Sequence, residues 1–160
     1  MLPALLLAFA IPTYGPLPET SGSPTPPPAY LRVPTTAGEA LIADSGSTNR
    51  SGYRLRVYAT GWTALQQGDV ALKKRVPAQL VERFFADLKA AGPVDRIPVA
   101  RCMKSASFGS VTQVGYRGAL SADLSCPSPS SAARALIVDV SALASAAGVS
   151  MLPRPLKMPL

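Results

Sequence analysis

Proline is concentrated at the two ends of the chain, and this distribution limits the part that is able to fold. Eight prolines lie between positions 11 and 36, and three more lie in the last ten residues. Because proline lacks an amide donor and fixes φ, such stretches favour extended, solvated chain. We therefore predict a proline-rich linker at 11–38, a single domain at 39–150 and a flexible tail at 151–160. A domain of that size buries roughly two thirds of its unfolded surface, enough for one modest core.

The region 39–150 alternates between strand-like and helix-like patterns. Strands are predicted at 39–43, 53–59, 62–66, 70–76, 97–102, 111–116 and 119–120, with a polar loop or bulged turn at 44–52. One helix follows Pro77 and ends at Gly92, because Leu80, Val81, Phe84, Phe85 and Leu88 recur at helical spacing. A second helix begins at Ser130 or Ser131 and ends at Gly148. We predict an α+β fold: a small antiparallel sheet with two helices packed on one face, ββαββα-like, with one disulfide.

The N-terminus has features of an export signal. Residues 1–10 form an apolar run that ends in Ala8-Phe9-Ala10, typical of a secretory cleavage site. No basic residue precedes the run and it is short, so we interpret it as the remnant of a secretory signal. Ten residues are too few to span a bilayer, which takes about 20. We expect a secreted or periplasmic protein that is not transmembrane; the alternative is an apolar N-terminus on a cytosolic protein.

The chain contains two cysteines, Cys102 and Cys126, which lie 24 positions apart and flank a predicted hairpin. This arrangement predicts a structural disulfide, with two buried free thiols as the alternative. Two thiols do not make a tetrahedral metal site, and the chain has no histidine. We expect no metal and no cofactor.

The remaining residue types exclude several kinds of chemistry. A Ser-His-Asp triad is impossible without histidine, and no glycine-rich phosphate loop is present. The net charge of +7 favours anionic partners in general, but we attribute it to a GC-rich genome, because arginine, alanine and proline are abundant, and not to a nucleic-acid or membrane role. The basic residues Arg54, Arg56, Lys73, Lys74 and Arg75 have few aromatic neighbours, so we interpret them as a solvated edge and expect no nucleic acid.

The run Leu41-Ile42-Ala43-Asp44-Ser45-Gly46-Ser47 resembles the aspartic protease signature. That resemblance implies a hydrolase in which Asp44 shares a proton with a second aspartate, supplied by a homodimer because the chain has one copy. The alternative is a polar turn formed by Asp44, Ser45 and Gly46.

A second pattern consists of Cys102-Met103-Lys104-Ser105-Ala106-Ser107-Phe108-Gly109 and Asp123-Leu124-Ser125-Cys126-Pro127. With the polar run after Ala43, it resembles a group of small uncharacterised exported bacterial proteins. The resemblance spans about 40–147 and implies a fold and a compartment but no activity.

The same loop resembles that of secreted protease inhibitors, including those of subtilisin, in which a reactive loop lies beside a disulfide. Met103, Lys104 and Ser105 form the candidate functional loop, and the resemblance implies that Lys104 is offered to a trypsin-like pocket. Those inhibitors have two cysteine pairs and this chain has one. An ordinary hairpin loop is the alternative.

We identify no catalytic residue, and we predict a non-enzymatic exported binding or structural module. We expect its partner among envelope or extracellular proteins. The aspartic-type hydrolase and the inhibitor presenting Lys104 are the alternative functions.

Overall fold

The computed structural model describes residues 32–105, 107 and 109–150, and the predicted α+β fold is confirmed there. The predicted signal remnant at 1–10, the predicted linker up to residue 31 and the predicted tail at 151–160 lie outside the described residues. The strands are β1 (Glu39–Ser47), β2 (Arg50–Tyr58), β3 (Trp62–Gln67), β4 (Val70–Arg75), β5 (Thr112–Tyr116) and β6 (Ala119–Leu120). The helices are α1 (Ala78–Ala91) and α2 (Ser131–Ala147). Neither helix is long and apolar enough for a membrane span, a finding that covers only the described part of the chain.

The six strands form one antiparallel sheet in the order β4-β3-β2-β1-β5-β6. The first four strands follow one another as hairpins, and the chain then returns after α1 to place β5 on the free side of β1. Ile42 in β1 consequently lies between Leu55 of β2 and Val114 of β5. The end of β1 lies in the same way between β2 and β5, with Asp44 opposite Tyr53 and Thr112.

The core lies between one face of the sheet and the two helices. Alternation along the strands turns apolar side chains to this face, and helical spacing turns the stripes of α1 and α2 towards it. The fully buried members include Ile42, Leu55, Val57, Val114, Phe84, Leu88, Leu136, Val140 and Leu143. Burying one such side chain stabilises the fold by about 1.5–3 kcal/mol.

Both helices end at glycine, as predicted. Gly92 after α1 has φ 77°, and Gly148 after α2 has φ 93°; glycine adopts such positive φ values without strain, and Gly148 has the left-handed helical conformation. Ser130 is the N-cap of α2, because its hydroxyl accepts a hydrogen bond from the Ala133 amide at 3.3 Å.

The predicted loop at 44–52 is wrong. β1 continues to Ser47 and β2 begins at Arg50, so only Thr48 and Asn49 form the turn. Glycine allows the two strands to stay paired here, since a Cβ on Gly46 would lie 2.3 Å from the amide nitrogen of Gly52.

The predicted strand at 97–102 is also wrong, because the segment pairs with no strand in the described sheet. The Ala100 amide donates to the carbonyl of Pro127 at 2.8 Å, but proline has no N–H to return, and Pro98 has none either. A ladder of hydrogen bonds therefore cannot develop along this segment.

Part of the predicted linker is attached to the sheet. The Gly118 amide donates to the Pro34 carbonyl at 2.7 Å, and the Tyr116 hydroxyl donates to the Ala37 carbonyl at 3.1 Å. The folded region therefore begins before Glu39.

Candidate functional site

The segment 101–105 bears the most exposed large apolar side chain in the described chain. Exposure alternates along it, as in an extended strand: Arg101, Met103 and Ser105 are exposed, whereas Cys102 and Lys104 are half-buried. The side chain of Met103 is fully exposed. The segment therefore projects Met103 away from the protein while its neighbours face inward.

A disulfide fixes the N-terminal side of Met103. Cys102 is bonded to Cys126, with 5.6 Å between their Cα atoms, so the predicted disulfide is confirmed. Next to it the Ala100 amide donates to the Pro127 carbonyl, and the Ser128 hydroxyl donates to the Pro98 carbonyl at 2.6 Å. The chain leading to Met103 is thus held along the segment that follows Cys126.

An inward-facing ammonium fixes the C-terminal side of Met103. The Lys104 Nζ donates to Asp123 Oδ2, to the Ser125 hydroxyl and to the Ser110 carbonyl. Its side chain is only 23% exposed and that of Asp123 only 22%. The ammonium therefore links the segment just after Met103 to Ser110, which lies shortly before β5.

Asp123 is the acceptor at the centre of this cluster. Its Oδ1 accepts hydrogen bonds from the Thr112 amide at 3.0 Å and from the Ser125 hydroxyl at 2.6 Å. Partial burial works to raise the pKa of Asp123, but the hydrogen bonds from Lys104, Ser125 and Thr112 outweigh it and hold that pKa below 3.8. The carboxylate is therefore charged across the neutral range and stays paired with the ammonium.

Asp44 supports the same loop from the end of β1. Its Oδ1 accepts from the Gly46 amide and from the Arg50 guanidinium, both at 2.8 Å, and its Oδ2 accepts from the Thr112 hydroxyl at 2.9 Å. The side chain is 5% exposed. Burial, and next the charge of Asp44, raise the pKa of neighbouring Tyr53 to about 12.

Three further hydrogen bonds connect the neighbours of Asp44 to the segment that leads into β5. Arg50 donates to the Ser110 hydroxyl at 3.1 Å. The Ser45 amide donates to the Val111 carbonyl at 2.9 Å, and the Val111 amide donates to the Ser45 hydroxyl at 2.9 Å. We call the described residues from Cys102 to Val111 the Met103 loop; its first end is held by the disulfide and its second end by Ser45 and Arg50.

The structure brings together the two groups of residues that the sequence singled out. Met103, Lys104 and Ser105 share the loop, and Asp44 and Ser45 lie at its second end. Lys104, which the inhibitor resemblance implies is offered to a partner, has its ammonium paired with Asp123 and faces inward. Met103 holds the outward position instead, which the alternation from Cys102 would have indicated.

Asp44, Ser45 and Gly46 form the end of a strand and not the polar turn that was predicted. The sequence does not indicate the role of Asp123, although the motif Asp123-Leu124-Ser125-Cys126 contains it. Among residues 32–150 that are described, no group of three His, Cys, Asp or Glu side chains is placed to hold a metal ion. No family model, no curated protein and no solved structure matches this chain.

Proposed function

We propose that this protein is a non-enzymatic binding module that inhibits a serine protease by presenting Met103. The observation that supports the proposal most directly is a contrast between neighbours. Met103 is fully exposed, whereas Cys102 and Lys104 on either side are fastened to the body of the protein. A serine protease takes one substrate side chain into a specificity pocket beside the bond that it cuts. A single projecting side chain on a fixed backbone matches that requirement.

The attachment of Cys102 and Lys104 to the body of the protein distinguishes an inhibitor from a substrate. A loop that is ordered before binding loses less conformational entropy on association, so it binds more tightly. If the peptide bond between Met103 and Lys104 is cut, each new chain end stays attached. The disulfide holds Cys102, and the ion pair with Asp123 holds Lys104. The cut ends therefore remain side by side in the protease, where they block the site and can rejoin.

The chemistry of the projecting side chain selects the class of protease. Met103 is apolar and unbranched, so it fits a hydrophobic specificity pocket such as that of chymotrypsin. A trypsin-like pocket requires a cation, and the Lys104 ammonium is occupied inside the protein. The proposal therefore retains the inhibitor hypothesis but assigns the specificity to Met103.

The alternative of an aspartic-type hydrolase loses support. Such an enzyme needs a carboxylate that is open to substrate and shares a proton with a second carboxylate. Asp44 is buried, and both of its oxygens accept hydrogen bonds from Gly46, Arg50 and Thr112. It serves as an anchor for the Met103 loop.

Titration of the oxidised protein against chymotrypsin, subtilisin and trypsin tests the proposal. We expect tight inhibition of chymotrypsin or subtilisin and weak inhibition of trypsin. Met103→Asp should weaken that inhibition by at least about 30-fold, the loss typical of a central interface residue. Met103→Lys should transfer the inhibition to trypsin.

Val138→Asp provides the matched control, because Val138 is an exposed apolar residue on α2. It should leave inhibition unchanged. The proposal fails if none of the three proteases is inhibited, or if the bond after Met103 is cut rapidly without inhibition.

We also infer that the protein works outside the reducing cytosol. The disulfide supports this inference, because such bonds persist mainly in oxidising compartments, and the apolar run at 1–10 is consistent with export. Mass spectrometry after thiol alkylation of protein from its native compartment tests it. Recovery of Cys102 and Cys126 as alkylated thiols would overturn it.

A further inference from the structure

The face of the sheet opposite the helices is basic and aromatic across β2, β3 and β4. The alternation that buries Leu55, Val57 and Leu65 turns the intervening residues to this open face. They are Arg54, Arg56 and Tyr58 from β2, Trp62, Ala64 and Gln66 from β3, and Ala71, Lys73 and Arg75 from β4. We call this surface the basic face.

The basic face has an excess of positive charge. On the described strands, Glu39 is the one acidic residue on this side of the sheet, and it pairs with Arg56. The ion pairs within the described residues do not involve Arg54, Lys73 or Arg75. Three exposed cations therefore lie on one surface, and no carboxylate of the described residues forms an ion pair with them.

The shape of the basic face is a shallow groove. Ala64 and Ala71 have short side chains and form its floor, and Arg54, Arg56 and Lys73 line it. The other end of the same face is covered by Val33. This side chain lies so close to Gly115 that a Cβ added to the glycine would be 3.1 Å from it. The groove is therefore restricted to β2, β3 and β4.

An aromatic residue lies at one end of the groove. Trp62 is 44% exposed, and the Arg75 guanidinium lies 5.1 Å from its ring centroid. A second shallow depression, lined by Tyr58, Trp62 and Lys73, continues the groove there. An exposed indole offers a flat apolar surface, and adjacent cations offer partners for anions.

We propose that the basic face binds an acidic polysaccharide, with a sugar ring on Trp62 and its carboxylates or sulfates on Arg54, Lys73 and Arg75. Single-stranded nucleic acid is less well matched, because successive bases need several aromatic surfaces and this face offers one exposed indole. The disulfide is consistent with this choice, since such bonds persist in secreted and periplasmic proteins, which can meet polysaccharides outside the cytosol. The basic residues thus form a binding surface in place of the solvated edge expected from the sequence.

The test uses oligosaccharides of polygalacturonic acid and heparin as probes. Trp62 is the one tryptophan of the chain, so its fluorescence reports directly on the groove. We expect a saturable change in that fluorescence with at least one probe, and a midpoint that rises with added NaCl. Lys73→Ala should weaken binding by about two- to fivefold, the range for one exposed ion pair, and Arg54→Ala combined with Lys73→Ala by roughly tenfold.

Lys74→Ala is the matched control, because Lys74 is also exposed and its removal changes the net charge equally, but it points to the other side of β4. It should bind as the wild type does. The proposal is overturned if neither probe changes the fluorescence, or if Lys74→Ala and Lys73→Ala weaken binding equally. Tighter binding of a thymidine oligonucleotide of matched charge would overturn it in favour of nucleic acid. Met103→Asp should leave polysaccharide binding unchanged, so this test is independent of protease inhibition.

Discussion

The ion pair between Lys104 and Asp123 runs beside the disulfide between Cys102 and Cys126, so a charged link and a covalent link join the same two segments. The covalent link starts from Cys102, just before Met103, and the charged link starts from Lys104, just after it. In the chain-entropy model, a disulfide stabilises the fold mainly by lowering the conformational entropy of the unfolded chain. A charged hydrogen bond instead fixes the direction of a side chain in the folded protein. Together they hold a short exposed loop that buries little apolar surface of its own.

Lys104→Met is expected to loosen this loop. It removes the ammonium and leaves Asp123 and the Ser110 carbonyl without that donor, which should lower the free energy of unfolding by roughly 1–2 kcal/mol. Urea denaturation measures the change, and the rate at which chymotrypsin cuts after Met103 should rise. Lys74→Met, an equally sized change at an exposed strand residue, should have little effect. Identical behaviour of the two variants would contradict the structural role of Lys104.

The low pKa of Asp123 predicts a loss of stability in acid. Because this pKa lies below 3.8 in the folded protein, the unfolded state binds more protons near pH 4, and stability from this group falls as pH drops through the folded pKa. The difference in unfolding free energy between wild type and Asp123→Asn should therefore shrink below pH 3.8. Urea titrations between pH 2.5 and pH 6 measure it, and a difference that is independent of pH would refute the assignment.

Reduction of the disulfide should lower stability without destroying the sheet. The closed loop of 24 residues corresponds to about 3–4 kcal/mol in the chain-entropy model. The helices and β1–β4 make their core contacts independently of either cysteine, so circular dichroism should retain its native shape at low temperature. Thermal unfolding with and without reductant measures the effect. An unchanged midpoint would show that the bond does not contribute to folding.

The sequence was sufficient to predict the parts of the fold that depend on apolar periodicity. Val81, Phe84 and Leu88 recur at helical spacing, and Leu55 and Val57 alternate, so α1 and β2 were found with their buried faces. The end of β1 was not found, because its pairing past Ala43 is supported by a buried carboxylate and by two closely packed glycines. A polar run of this kind has the composition of a loop.

The candidate site could be predicted only in part, for a related reason. The cysteine spacing indicated the disulfide, and the residues after Cys102 indicated the loop. The direction of Lys104 depends on Asp123, which lies 19 positions later in the chain. A sequence alone does not show which distant carboxylate a lysine meets, so the pattern predicts an outward Lys104 where the structure has an inward one.

Asp44→Ala should be strongly destabilising. The change removes the acceptor for the Gly46 amide, the Thr112 hydroxyl and the Arg50 guanidinium, and breaking a buried ion pair on one side typically costs about 3–5 kcal/mol. Urea denaturation measures it, with Asp69→Ala as control because Asp69 is exposed in the β3–β4 turn. A loss no greater than that of the control would mean that Asp44 does not anchor the loop.

Asp139 should make the protein more stable in mild acid than at neutral pH, which is the opposite sign from Asp123. It lies buried between the helices, paired with Arg83 at 2.5 Å, and its Oδ2 has no hydrogen-bond partner among the described residues. Burial raises the pKa of Asp139, Arg83 opposes this, and the adjacent Asp87 carboxylate adds to the rise. The folded state therefore binds more protons above pH 3.8, and stability from this group is lost as pH rises through the folded pKa.

Asp139→Asn tests this relationship. The amide is neutral, it keeps an oxygen for Arg83 and it supplies an N–H for Asp87, so it should raise the free energy of unfolding at pH 7 by roughly 1 kcal/mol. The gain over wild type should disappear as pH falls towards 4, which urea denaturation across pH 4–7 measures. Ser141→Ala, an exposed change on the same helix, should show no such dependence. If Asp139→Asn is less stable than wild type at every pH, the prediction is wrong. That result would mean that the ion pair with Arg83 stabilises the fold by more than the burial of the Asp139 charge destabilises it.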